Sequence, residues 1–346
     1  MAARVIAAFS LAVGLGFVAL APQTVSRAAD LPVRLSDRDF WRLSTEWSEP
    51  NGYFRSDNLT SNELLFERVI ADLVRRTRPG DVYLGVGPEQ NYTYIAAVRP
   101  AIAIIFDIRR GNLQLQLMYK ALFELAADRA DFVSMLFARP RPGSLGASSS
   151  VVEIFAAVGR SPRSEVVYTR TLEAIKNHLT KTRALPLSAT DLDGIEYVYR
   201  AFYFSGFAVR ASPRYDELMT ATDAAGAYKS YLATEASFDI VKNLESKNLV
   251  IPVVGDFAGP TAIRAVGVYL KAHGATVSTF YLSNVEQYLV QDDKWRLFCR
   301  NAASLPLDRS STFIRSSNRS SGFTRFGRGF ESRLGEMADE TKNCGA

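Results

Sequence analysis

The chain has 346 residues, 47% of them apolar and 22% charged, with a formal net charge of +5. This is ordinary globular composition, long enough for one large α/β domain or for a domain with a substantial insert, and it excludes disorder except at the ends. The charge is modest and Arg and Glu alternate along most of the chain, which argues against a nucleic-acid stripe, and the two histidines (His178, His273) and two cysteines (Cys299, Cys344) are too far apart to suggest a metal or thiol–histidine cluster.

Residues 1–28 read as a secretory signal. Arg4 supplies a short positive start, Val5 to Ala21 is an apolar run, and Ser26-Arg27-Ala28 puts small residues where a signal peptidase reads, so cleavage is expected after Ala28. An uncleaved anchor is the alternative, and Gly14, Gly16 and the small-residue exit favour the cleaved form. The mature protein is then expected in the periplasm or secreted, with no stable membrane span. In that oxidising setting Cys299 and Cys344 could pair, and the sequence leaves this open.

Residues 29–80 form an arm and a helix. Ser36 reads as the cap of a helix carrying Phe40, Trp41 and Leu43. The turn Glu49-Pro50-Asn51-Gly52 precedes a mixed patch of Tyr53, Phe54, Arg55, Asp57 and Asn58, which is either a flap over a ligand site or a packed arm over a sheet edge. Ser61 then reads as the cap of an amphipathic helix with Leu64, Leu65, Val69, Leu73 and Val74 on its apolar side.

Residues 81–140 open a sheet. Val82 to Val86 is an apolar run broken at Gly87-Pro88, a helix follows from about Asn91 to Val98, and a second apolar run ends at Asp107. A strand, a glycine turn, a helix and an acidic strand end about twenty residues on is the pattern of a nucleoside-binding βαβ unit, the carboxylate accepting from the ribose hydroxyls. Asn112 to Phe137 reads as helix, with Glu124, Asp128, Arg129 and Asp131 as a solvated ion-pair face. Residues 141–246 read as a helical insert or cap, where His178 is taken as a surface residue.

Residues 247–315 resume the α/β rhythm: a strand to Val254 ending in Gly255-Asp256, a helix, a strand to Leu282, and a helix opening at Ser283-Asn284 with Glu286 in its first turn. Thr312 to Arg315 is an expected edge strand, and residues 316–346, rich in Ser, Gly and Arg, read as a disordered tail. The fold class is therefore α/β, a Rossmann-like and mostly parallel sheet with a helical insert between its two halves. Parallel strands bring Gly85 to Asn91, Asp107, Asp256 and the Ser283-Asn284-Glu286 turn to one rim.

The unit from 81 to 107 resembles the first motif and second strand of the class I S-adenosylmethionine-dependent methyltransferases. Tyr83 stands where those enzymes usually carry an acidic residue, and Glu89 where they carry a third glycine. The stretches EPNGYFRSDN, YLGVGPEQNYTYIAA, DIRRGN, LMYKALFELAADRADF, IEYVYRAF, PVVGDFAGP and FYLSNVEQYL look more closely like an uncharacterised family of bacterial proteins. The first likeness implies S-adenosylmethionine held by Gly85, Gly87, Glu89, Asn91 and Asp107, with Glu89 or Asp256 orienting a substrate near Tyr53, Arg55, Asp57, Asn284 and Glu286. The alternative is an extracytoplasmic protein that binds a small-molecule ligand on the same scaffold without turnover. A nicotinamide dehydrogenase is weaker, because no complete G-x-G-x-x-G is present.

Overall fold

The computed structural model describes residues 29–318 and 330–344. The expected signal sequence lies outside the described residues.

The chain runs through α1 (Asp37–Glu46) and α2 (Ile70–Arg76) into β1 (Val82–Val86), α3 (Gln90–Val98) and β2 (Ile102–Asp107). Seven α-helices follow before the next strand: α4 (Arg110–Leu125), α5 (Arg129–Leu136), α6 (Val151–Arg160), α7 (Glu165–Asn177), α8 (Ala189–Ser205), α9 (Tyr215–Met219) and α10 (Glu235–Ser246). Then come β3 (Val250–Val254), α11 (Ala262–Ala272), β4 (Val277–Ser283), α12 (Val285–Gln291), α13 (Trp295–Ala303), β5 (Thr312–Asn318), β6 (Phe330–Glu336) and α14 (Met337–Thr341).

The sheet order is β3-β2-β1-β4-β5-β6, a mixed α/β arrangement consistent with a Rossmann-like fold. The first five strands are parallel and β6 runs antiparallel to β5. β1 and β2 are buried at every position, which is why both read as unbroken apolar runs rather than alternations. The order reverses between β1 and β4, so the crevice at their carboxyl ends is the place where such sheets hold ligands.

The two borders of the sheet are closed differently. On β3, Pro252 lacks an N–H, and its carbonyl accepts from Ser44 Oγ of α1 at 2.6 Å; Ser48 Oγ accepts from Val254 N at 2.9 Å. The arm thus seals a sheet border. On the other side the expected edge strand at 312 is interior, because β6 pairs along it from Thr312–Glu336 to Asn318–Phe330. The expectation of a disordered tail from 316 is corrected for residues 330–344, which are held by that pairing, by α14 and by a Cys299–Cys344 disulfide. Serine and glycine content alone does not predict disorder when a strand border waits to be filled.

Three other expectations change. Residues 61–65 are not helical: Leu65 adopts φ 67°, a 3₁₀ turn begins at Phe66, and Ser61 spends its groups on Gln90 and Glu89 instead of on a cap. The helix expected from 112 to 137 breaks at Ala126, and Asp128 caps a new one by accepting from Asp131 N at 2.8 Å. The supposed solvated face is largely buried. Glu124 meets Lys120 at 2.8 Å, His178 at 2.6 Å and Arg183 at 2.5 Å, so His178 is not a surface residue, and Arg129 is enclosed against Glu235 at 2.8 Å. No helix among the described residues is long and apolar enough to cross a membrane.

Candidate ligand-binding site

A cavity of about 720 Å³ opens at the carboxyl ends of β1, β2, β3 and β4. Gly87, Asp107, Asp256 and Asn284, drawn from four strand ends, all line it, as parallel strands require.

The glycine turn is built from inside. A Cβ on Gly85 would overlap the Asn91 side chain and the Tyr83 ring. Asn91 Oδ1 accepts from Tyr83 OH at 2.9 Å, and its amide donates to the carbonyls of Val86 (3.0 Å) and Pro88 (2.7 Å). Gly87, at φ 77°, is the turn residue that faces the cavity, and Gln116 Nε2 fixes its carbonyl at 2.9 Å. Gly85 and Asn91 therefore shape the turn from behind it.

Asp107 is paired with Arg109, Nε to Oδ1 at 3.0 Å and Nη2 to Oδ2 at 3.0 Å, and the Arg109 amide adds 2.9 Å to Oδ1. Each carboxylate oxygen offers two lone pairs, so Oδ1 is filled and Oδ2 keeps one for a ligand hydroxyl. Arg109 also donates to the carbonyls of Ser56 and Asp57.

Residues 48–58 cross the rim as a strap. Glu49 accepts from the amides of Asp256 (3.0 Å), Thr261 (2.7 Å) and Ala262 (3.0 Å), a carboxylate seated at the start of α11. Asn51 Oδ1 accepts from Arg110 N at 2.7 Å, and Gly52 N donates to Ile108 O at 2.8 Å. Beyond these anchors the strap presents Phe54 edge-on to Tyr288, with ring centroids 5.1 Å apart, and Arg55, which donates to Tyr288 OH at 3.1 Å. The flap and the packed arm are one continuous segment.

The far wall is a polar node that the sequence did not mark. Glu63 is 1% exposed, and its oxygens accept from Tyr281 OH (2.9 Å), Gln90 Nε2 (3.0 Å), Ser283 Oγ and Ser316 Oγ. Tyr281 and Ser283 line the cavity, and Ser283 holds φ 51° at the end of β4, a strained setting for a residue with a side chain. Glu63 lies in what reads as a helix start. Only the tertiary position of β4 and β5 reveals it.

The model of a domain of unknown function, DUF7790, matches residues 58–342. The chain belongs to the DUF7790 family. That bears out the likeness to an uncharacterised family, and the family's description carries no activity. No curated protein matches the chain. The DUF7790 match covers the sheet, the Glu63 node and Asp107, whereas α1 and the strap as far as Asp57 precede it.

Some candidate residues stand away from the cavity of this DUF7790 member. Glu89 is fully buried beneath the turn, both oxygens taken by Ser61 N at 3.0 and 3.2 Å, and burial pushes its carboxyl up to about 7 against that amide. Asp57 turns to Tyr197 OH at 2.6 Å, joining the strap to α8. Glu286 pairs with Arg315 at 2.7 Å, with burial raising its carboxyl. Asp256 lines the cavity but meets Lys294 at 3.5 Å, and Tyr53, 85% exposed, stands at the mouth. The described residues contain no group of three or more His, Cys, Asp or Glu side chains able to hold a metal ion.

Proposed function

We propose that this protein binds a nucleoside-bearing small molecule in the cavity at its sheet switch point, outside the cytoplasm. The observation that carries the reading is the spare lone pair of Asp107 Oδ2 on the same rim as the Gly87 turn, beside a cavity of about 720 Å³. Such a volume suits a ligand of this size, since small-molecule sites run from roughly 300 to 1,000 Å³. Phe54 and Tyr288 offer aromatic surface for a base. The signal-like first 28 residues and the Cys299–Cys344 bridge support export, because disulfides persist in oxidising compartments.

S-adenosylmethionine is the first ligand to test. Asp107 would take its ribose and the Gly87 backbone would approach its chain, whereas Gly85, Glu89 and Asn91 are occupied in building the turn. Binding without turnover is the primary reading, because Glu89 is engaged below the cavity and Asp256 is ion-paired.

Methyl transfer is a second reading, favoured by Ser283. Its hydroxyl lines the cavity and donates to buried Glu63, a route by which a substrate proton could leave. When bound, the cofactor would supply the methyl group.

Calorimetric titration of the mature protein with adenosine and with S-adenosylmethionine, repeated on Asp107→Ala, tests the primary reading. Binding weakened at least about tenfold in the variant supports it. No heat at millimolar ligand overturns it.

A further inference from the structure

We infer that the ligand of this cavity carries an oxyanion, carboxylate or phosphate, seated against Arg210, an inference that builds on the cavity reading above. Most of the charges that line the cavity already have protein partners. Asp107 is neutralised by Arg109 at 3.0 Å and Asp256 by Lys294 at 3.5 Å. Arg55 is engaged with Tyr288, donating to its hydroxyl and standing 5.4 Å from its ring centroid. Asp292 is exposed on the rim.

Arg210 is left. It lies in the segment after the 3₁₀ turn Gly206–Ala208, lines the cavity, is partly buried, and has no hydrogen bond or ion pair with any described residue. Nearby Arg214, by contrast, is satisfied by Asp216 at 2.9 Å. Glu89 feels the charge of Arg210 but lies fully buried beneath the turn, held by Ser61 N, and makes no hydrogen bond or ion pair with it. A guanidinium brings five donors in a planar fork, which matches a carboxylate or phosphate with two parallel hydrogen bonds. A guanidinium that lines the cavity and meets no protein acceptor keeps its donors free for a ligand, and a ligand oxyanion supplies the acceptor that the fork matches. Arg210 belongs to the helical region between β2 and β3, so this part of the chain contributes a recognition group to the rim of the sheet.

The test uses the mature protein and Arg210→Gln, with near-ultraviolet circular dichroism to establish that both fold. Four probes are titrated: adenosine, adenosine 5′-monophosphate, S-adenosylhomocysteine and inorganic phosphate. At least one oxyanion-bearing nucleoside should bind about tenfold or more tighter than adenosine to the wild type, a factor equivalent to one charge-assisted hydrogen bond. The monophosphate leading identifies a phosphate, and S-adenosylhomocysteine leading identifies a carboxylate. Arg210→Gln should erase the preference while leaving adenosine affinity unchanged. Equal affinities for all three nucleosides, or a preference that survives in Arg210→Gln, overturns the inference and leaves the nucleoside reading intact. Thermal stabilisation by inorganic phosphate that requires Arg210, with no nucleoside bound, overturns the nucleoside reading and keeps the oxyanion site. No response to any probe overturns both.

Discussion

Arg109 grips the carboxylate of Asp107 from two residues further along the chain and, with its remaining amino group, holds the carbonyls of Ser56 and Asp57. One guanidinium therefore aligns the proposed ribose acceptor and fastens the strap above it. Arg109→Ala should cost about 3 kcal/mol, because it leaves a nearly buried carboxylate without its partner. The strap should also loosen. Urea titration reads the first effect, and proteolysis between residues 48 and 58 reads the second. Unchanged stability would show that Asp107 finds other donors.

Glycine positions 85 and 111 should respond in opposite directions. A methyl group on Gly85 meets the Asn91 side chain and the Tyr83 ring within a packed turn, so Gly85→Ala is expected to destabilise by about 1–3 kcal/mol. Gly111, in the first turn of α4, has nothing near its Cβ position, and Gly111→Ala should stabilise by roughly 0.5 kcal/mol. Thermal melts of the two variants make the comparison. Similar melting temperatures would contradict the packing of Asn91 on Gly85.

Stability should fall as pH rises from about 5 to 8. Burial raises Glu67 and Glu89 from 4.5 to about 7, and Glu245 to about 8. A carboxyl whose folded value lies above its unfolded one holds its proton more tightly in the fold. Its contribution is complete below about 4.5 and is lost as pH climbs through the folded value. Glu124 behaves oppositely: burial opposes its charge, but His178, Lys120 and Arg183 outweigh burial and hold it at about 2, so its contribution is lost on acidification below 4.5. Glu89→Gln, which mimics the protonated group, should remove on the order of 1–3 kcal/mol of the decline between pH 5 and 8. Denaturant titrations at both pH values decide it, and an unaltered slope rules Glu89 out as a source.

Cys344→Ser should destabilise the protein by about 4 kcal/mol in the chain-entropy account, since the Cys299–Cys344 bridge closes a loop of 45 residues. Hydrogen exchange should show the loss concentrated in β5, β6 and α14. A uniform loss across the sheet would mean that the bridge supports more than the C-terminal border.

The parts of the fold that could be read from sequence are those whose burial is local. β1 and β2 are unbroken apolar runs with a glycine turn between them, and their parallel pairing follows from that pattern. The meeting of Gly87, Asp107, Asp256 and Asn284 follows from topology in turn. What stayed hidden depends on partners distant in the chain. Glu63 looks like one more polar residue near a helix start, and only Tyr281 and Ser316 make it a buried acceptor. Glu124 looks solvated until His178 and Arg183 arrive from another helix. β6 reads as the largely polar sequence FESRLGE, because a border strand need not be buried on both faces as an interior one is.

The antiparallel pairing of β6 with β5 has a consequence for synthesis. The ribosome makes residues 330–336 after β5, so until they emerge β5 presents a bare row of backbone donors and acceptors to whatever chain is nearby. Premature termination before residue 330 would thus yield a product prone to self-association, even though the whole cavity had already been translated.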